Sequence, residues 1–157
     1  MNHHIFIVVP VCWGIGKCQS YFGNLCPHLN GKQVWLEEGS SQLALSYKVF
    51  NLKEDYFSNH FYGDLSYCEN EVTTIICSHL IPMCYTEKLQ TPIYVCPNVC
   101  HKQKSSACFR DLRFERSKFR DWFENLDCDG KLGRQIGQND GMNSESSCFE
   151  VATLSKS

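Results

Sequence analysis

Apolar side chains recur at helical spacing in four stretches of the chain, and the residues between those stretches are ones that stop helices. Tyr56, Phe57, His60 and Phe61 share one face of a first predicted helix. Asn51, with Glu54 three residues on, reads as its capping box: the amide oxygen accepts from an orphan backbone N–H while the carboxylate reaches back. Gly63 ends it. After Cys68, the stripe Val72, Ile75, Ile76, His79 and Leu80 predicts a second helix, stopped by Pro82, whose ring cannot continue the hydrogen-bond ladder. Pro97 suits the first turn of a third helix, where a missing N–H does no harm, with Val99, Cys100, Ala107, Cys108 and Leu112 on its inner side. Phe119, Trp122, Phe123 and Leu126 mark a fourth that ends around Cys128, Asp129 and Gly130.

The flanks are less regular. Residues 17–31 hold Cys18, Cys26, Pro27 and the turn signal Asn30-Gly31. Val34, Trp35 and Leu36 form a short apolar run, and Leu43, Leu45, Tyr47 and Val49 alternate behind it. The two runs fit a β-hairpin, and the second fits the start of a helix equally well. From 130 to Cys148 the chain is rich in Gly, Ser and Asn, with little to bury, and reads as a loop tied down by one disulfide. The expected fold class is mainly α: a compact, disulfide-stapled helical domain with one short β-hairpin.

At 157 residues the chain is one domain by size, and 15 basic against 17 acidic side chains call for no nucleic acid. Eleven cysteines change the picture more. In a reducing cytosol so many thiols invite metals and oxidation, whereas in an oxidising compartment they close loops and stabilise a small fold. Zinc is the main rival, but no Cys-x2-Cys knuckle occurs, the tightest spacing being Cys96-x3-Cys100. The apolar run 5–13, followed by Gly14-Ile15-Gly16, reads as a secretory leader over residues 1–16, although His3 and His4 stand where a basic residue is usual; a buried N-terminal strand is the competing reading. Cleavage after Gly16 would remove Cys12 and leave ten cysteines in a secreted domain over 17–148, with a short tail at 149–157. No second apolar segment is long enough for a transmembrane helix.

The ten cysteines from Cys18 onward are separated by 7, 41, 8, 6, 11, 3, 7, 19 and 19 residues. With Cys77-Ser78-His79-Leu80-Ile81-Pro82-Met83-Cys84, the run Cys96-x3-Cys100-x7-Cys108, Trp122 ahead of Cys128, and His60-Phe61-Tyr62 ahead of Cys68, this layout resembles the cysteine-rich domain of Frizzled receptors and secreted Frizzled-related proteins. It departs from that pattern by one added residue between Cys100 and Cys108 and by Phe123 where Pro is usual. The resemblance implies the pairs Cys18 with Cys84, Cys26 with Cys77, Cys68 with Cys108, Cys96 with Cys148, and Cys100 with Cys128. It further implies a binding module for Wnt proteins, whose acyl chain would enter a groove lined by Phe61, Tyr62, His79, Leu80, Ile81 and Met83, with Ile75 and Ile76 beneath or simply in the core. Another Frizzled domain is an implied partner too.

Two other functional readings stand beside it. The same channel would serve an extracellular carrier of free fatty acid or sterol, and the chain could be the detached ectodomain of a receptor. The basic residues Lys102, Lys104, Arg110, Arg113 and Arg116 form a candidate face for heparan sulfate. No catalytic residue, metal site or cofactor is expected. Cys77 and His79 are too close in sequence to act as nucleophile and base without a special turn, and the six His show no His-x3-His pair.

Overall fold

The computed structural model describes residues 16–59, 66–84, 91–110, 117–129 and 148. Among them lie four helices, α1 (Gln42–Asn59), α2 (Glu69–Leu80), α3 (Pro97–Lys104) and α4 (Lys118–Glu124). Four short strands, β1 (Gly16–Ser20), β2 (Gln33–Glu37), β3 (Met83–Cys84) and β4 (Pro92–Ile93), form one antiparallel sheet in that order. The disulfide-rich, mainly helical fold is as expected, but the sheet is larger than one hairpin. Among the described residues no helix is long and apolar enough to cross a membrane.

Of the two readings open for 43–49 the helix holds, since these residues belong to α1; the hairpin with 34–36 does not form, and β2 pairs with β1, Trp35 lying opposite Cys18. The alternation that suggested a strand comes from a helix that is apolar on two opposite sides. Leu45, Val49, Leu52 and Tyr56 face inward, whereas Leu43, Tyr47 and Phe50 are 68%, 61% and 48% exposed. The capping box at Asn51 is likewise absent. Asn51 lies in mid-helix, and the helix begins nine positions earlier, where the Ser41 hydroxyl accepts from the Ala44 N–H. The expected end near Gly63, with His60 and Phe61, lies outside the described residues.

α2 follows its stripe closely, with Val72, Ile75, Ile76 and Cys77 buried. α3 is shorter than expected and stops at Lys104; Ala107, exposed rather than inward, and Cys108 belong to a separate 3-10 turn capped by Ser106, and Leu112 lies outside the described residues. α4 starts at the Ser117 cap, whose hydroxyl accepts from the Arg120 N–H. A second cap arrives from α1, where the Asp55 carboxylate accepts the Phe119 N–H at 2.7 Å.

The core gathers around Tyr56 of α1, whose ring meets Phe57, Phe109 and Phe119 edge-on, while Phe109 stacks on Phe123 at 4.5 Å between centroids. The Tyr56 hydroxyl, fully buried, donates to the Cys108 carbonyl at 2.6 Å. Five disulfides join Cys18 to Cys84, Cys26 to Cys77, Cys68 to Cys108, Cys96 to Cys148 and Cys100 to Cys128, which are the pairs that the resemblance implied.

The segment 21–32 folds back on itself: Tyr21 donates its N–H to the Lys32 carbonyl and accepts from Gly31, and its phenol oxygen accepts from the Cys26 N–H. Within it, the Nε2 of His28 is buried without a hydrogen-bond partner. Burial, and then the nearby Lys32 charge, push the His28 pKa below its ordinary value of 6.5.

Two outcomes follow. Tyr56→Phe leaves the Cys108 carbonyl buried and unsatisfied, so it should cost about 1–3 kcal/mol in a denaturant titration without altering the disulfides. For His28, the unfolded chain takes up a proton below pH 6.5 that the folded ring resists. Stability is therefore full above that pH and falls as pH drops towards the lowered folded value. Melting curves at neutral and mildly acid pH should show a smaller acid loss in His28→Gln than in the wild type; an equal loss assigns the acid sensitivity to other groups.

Candidate binding cleft

α2 ends at Leu80 because the Ile81 N–H makes the last helical bond, to the Cys77 carbonyl, and Pro82 can offer none. The chain then turns into β3, and the Pro82 carbonyl accepts from the Trp35 N–H at 2.7 Å, tying the end of α2 to β2. This turn divides the expected groove residues. Leu80 and His79 face an open cleft of about 410 Å³. Ile81 is 1% exposed and belongs to the core, so it cannot touch a ligand in the cleft. Met83 pairs with Val34 and Ile93 in the sheet and packs on the same core, away from the cleft wall. Ile75 and Ile76 are core residues as well. Phe61 and Tyr62 lie outside the described residues.

The rest of the cleft comes from residues that the sequence did not assign to a groove. Trp35 and Pro82 form part of its wall with Leu45 and Ala44 of α1, and Tyr94 closes one side just beyond β4. Glu37 and Glu38 stand at its lip, and Lys48 approaches from α1. The lip is a tight turn: the Ser40 N–H donates to the Glu37 carbonyl at 3.0 Å, and Gly39 takes the left-handed conformation that such a turn needs, at φ 81°. The sequence signal was there in Glu37-Glu38-Gly39-Ser40-Ser41, a turn followed by a helix cap. Burial, and then the Glu37 charge, raise the Tyr94 pKa above its ordinary value of 10.0, so its phenol stays protonated at neutral pH.

His79 is a polar residue in the cleft wall. Its Nε2 lies 3.0 Å from the Gln103 Oε1, so Nε2–H donates to α3, and the ring meets Trp122 of α4 edge-on at 6.3 Å. A hydrogen-bonded imidazole at the cleft wall costs far less than an orphaned one. The volume falls within the range of roughly 300–1,000 Å³ usual for small-molecule sites.

The candidate polysaccharide face fares differently. Lys104 does not reach out from α3: its ammonium donates to the carbonyls of Glu124 and Leu126, at the end of α4 where helix carbonyls lack partners. His101 meets Asp129 at 3.1 Å, and Arg120 pairs with Glu124 one turn along α4. Lys102 and Arg110 are exposed, and Arg113 and Arg116 lie outside the described residues. Among the described residues no group of three His, Cys, Asp or Glu side chains is arranged to hold a metal ion. No family model matches the chain, and no curated protein matches it.

Lys104→Ala should lower the melting temperature, at a cost of roughly 1 kcal/mol, because the end of α4 loses its donor. Retention on heparin should be unchanged by that substitution. If Lys104→Ala instead elutes from heparin at lower salt while melting normally, the lysine serves the surface rather than the helix end.

Proposed function

We propose that the chain is a secreted binding module of the Frizzled cysteine-rich type, which takes the acyl chain of a Wnt protein into the cleft at the end of α2 and thereby modulates Wnt signalling. What carries the reading is the set of five disulfide pairs, each joining the cysteines that the family's connectivity would join, together with an open cleft beside His79 and Leu80. Five cross-links suit an oxidising, extracellular setting. An acyl ligand would gain about 0.8 kcal/mol for each methylene it removes from water against Trp35, Leu45, Leu80 and Pro82, in a cleft that polar side chains also line. The role proposed is binding; the ten cysteines from Cys18 to Cys148 are all bonded and offer no thiolate as a nucleophile. Lys102 and Arg110, both exposed, are what remains of a surface for heparan sulfate among the described residues.

One observation favours the carrier reading: Lys48 at the cleft could neutralise the carboxylate of a free fatty acid or hold it by an ion pair. Lipid extraction separates the two, because a carrier purified from the medium should yield stoichiometric fatty acid or sterol by mass spectrometry. Leu80→Asp places a charge in the cleft wall at the last residue of α2. Binding of an acylated Wnt protein, measured by biolayer interferometry on the oxidised chain, should drop below detection while the five disulfides and the helical circular-dichroism signal persist. Unchanged binding removes the cleft from the account.

A further inference from the structure

The cleft has a charge pattern that acyl uptake alone does not explain. Glu37 and Glu38 are consecutive carboxylates, both exposed, carried on a backbone turn closed by the Ser40-to-Glu37 hydrogen bond and the left-handed Gly39. Against them the cleft offers a single ammonium, Lys48. Tyr94, kept protonated by burial and by Glu37, adds no negative charge, and His79 spends its Nε2–H on Gln103. The lip is thus an anionic site beside a cleft whose apolar part is the wall of Trp35, Ala44, Leu45, Leu80 and Pro82. A free carboxylate brought there would meet two like charges and one opposite charge.

The apolar surface, moreover, does not stop at the rim. Ala44 and Lys48 of the cleft are followed around α1 by Leu43 and Tyr47, and Phe50 continues that stripe one turn on, all three well exposed. A lipid that fills a cleft of about 410 Å³ leaves this stripe uncovered. A polypeptide carrying the lipid would cover it.

Resting on the acyl uptake proposed above, we infer that the occupant of the cleft is an acyl chain borne by a basic polypeptide segment, whose Lys or Arg side chains meet Glu37 and Glu38 and whose apolar side chains meet Leu43 and Tyr47. Charge at the lip then selects among acylated proteins by what flanks the modified residue, and disfavours the free fatty acid. Exposed ion pairs are individually weak, so two carboxylates together should account for about a threefold to tenfold preference at low salt, and less as screening increases.

The test uses the full oxidised chain and fluorescent peptides with a serine octanoate ester flanked by lysines or by glutamates, the unacylated lysine peptide, and a fluorescent free fatty acid, read by anisotropy. The lysine-flanked ester should bind about threefold to tenfold tighter than the glutamate-flanked one. That margin should vanish at high salt and in the Glu37→Gln, Glu38→Gln double variant, in which the free fatty acid binds more tightly than to the wild type. Tyr47→Ser should weaken both esters and leave the free acid unaffected. Equal affinity for the two esters, or a preference for the free acid, overturns the inference while leaving acyl uptake intact. Equal affinity for the acylated and unacylated lysine peptides overturns acyl uptake itself.

Discussion

Covalent closure of long loops is the constraint on which everything else in this molecule depends. α3 and α4 span only eight and seven residues, well below the length at which a helix persists on its own in water. They are held because Cys100 is bonded to Cys128, so the segment after α4 cannot leave α3, and because Lys104 reaches across to the carbonyls at that end. The sheet is no more self-sufficient, since β3 and β4 have two residues each. Cys18 to Cys84 fastens β1 to β3 across the intervening β2. Each bond closes between 28 and 66 residues, a range in which removing the loop entropy of the unfolded chain is worth about 3–5 kcal/mol in the entropic account.

With the frame closed in this way, a cleft can stay open without collapsing. Its walls come from four separate places in the chain: β2, the start of α1, the end of α2 and the residue after β4. Two of these segments are held by contacts of their own. α1 is pinned by the Ser41 cap and by the aromatic cluster around Tyr56; the end of α2 is pinned by Trp35 and by Gln103. Little of the cleft wall depends on the ligand to hold it, which keeps the entropic cost of binding low.

How much of this was legible in the sequence depended on whether an element presents one apolar face or two. α2 has a single stripe and a proline after it, and its extent could be read directly. α1 is apolar on opposite sides, so Leu43, Leu45, Tyr47 and Val49 imitate the alternation of a strand, and Asn51 took the role that Ser41 plays. For the cleft, periodicity reported how Leu80 and His79 sit on their own helix but nothing about which segment lies opposite them. Trp35, Leu45 and Tyr94 are brought there by long-range pairing, and Ile81 and Met83 are turned inward by the change of direction at Pro82, which no local pattern encodes.

The connectivity divides the molecule more unevenly than the even spread of sulfurs suggests. Cys18, Cys26, Cys77 and Cys84 are bonded among themselves, and Cys96, Cys100, Cys128 and Cys148 among themselves, leaving Cys68 to Cys108 as the one of the five bonds that crosses between the two sets. A backbone cut anywhere between Cys84 and Cys96 would therefore leave two independently knotted halves joined by a single rivet. That rivet is set beside the Tyr56 hydroxyl, with Cys68 fully buried and Cys108 8% exposed, so a small reductant has little surface of it to attack.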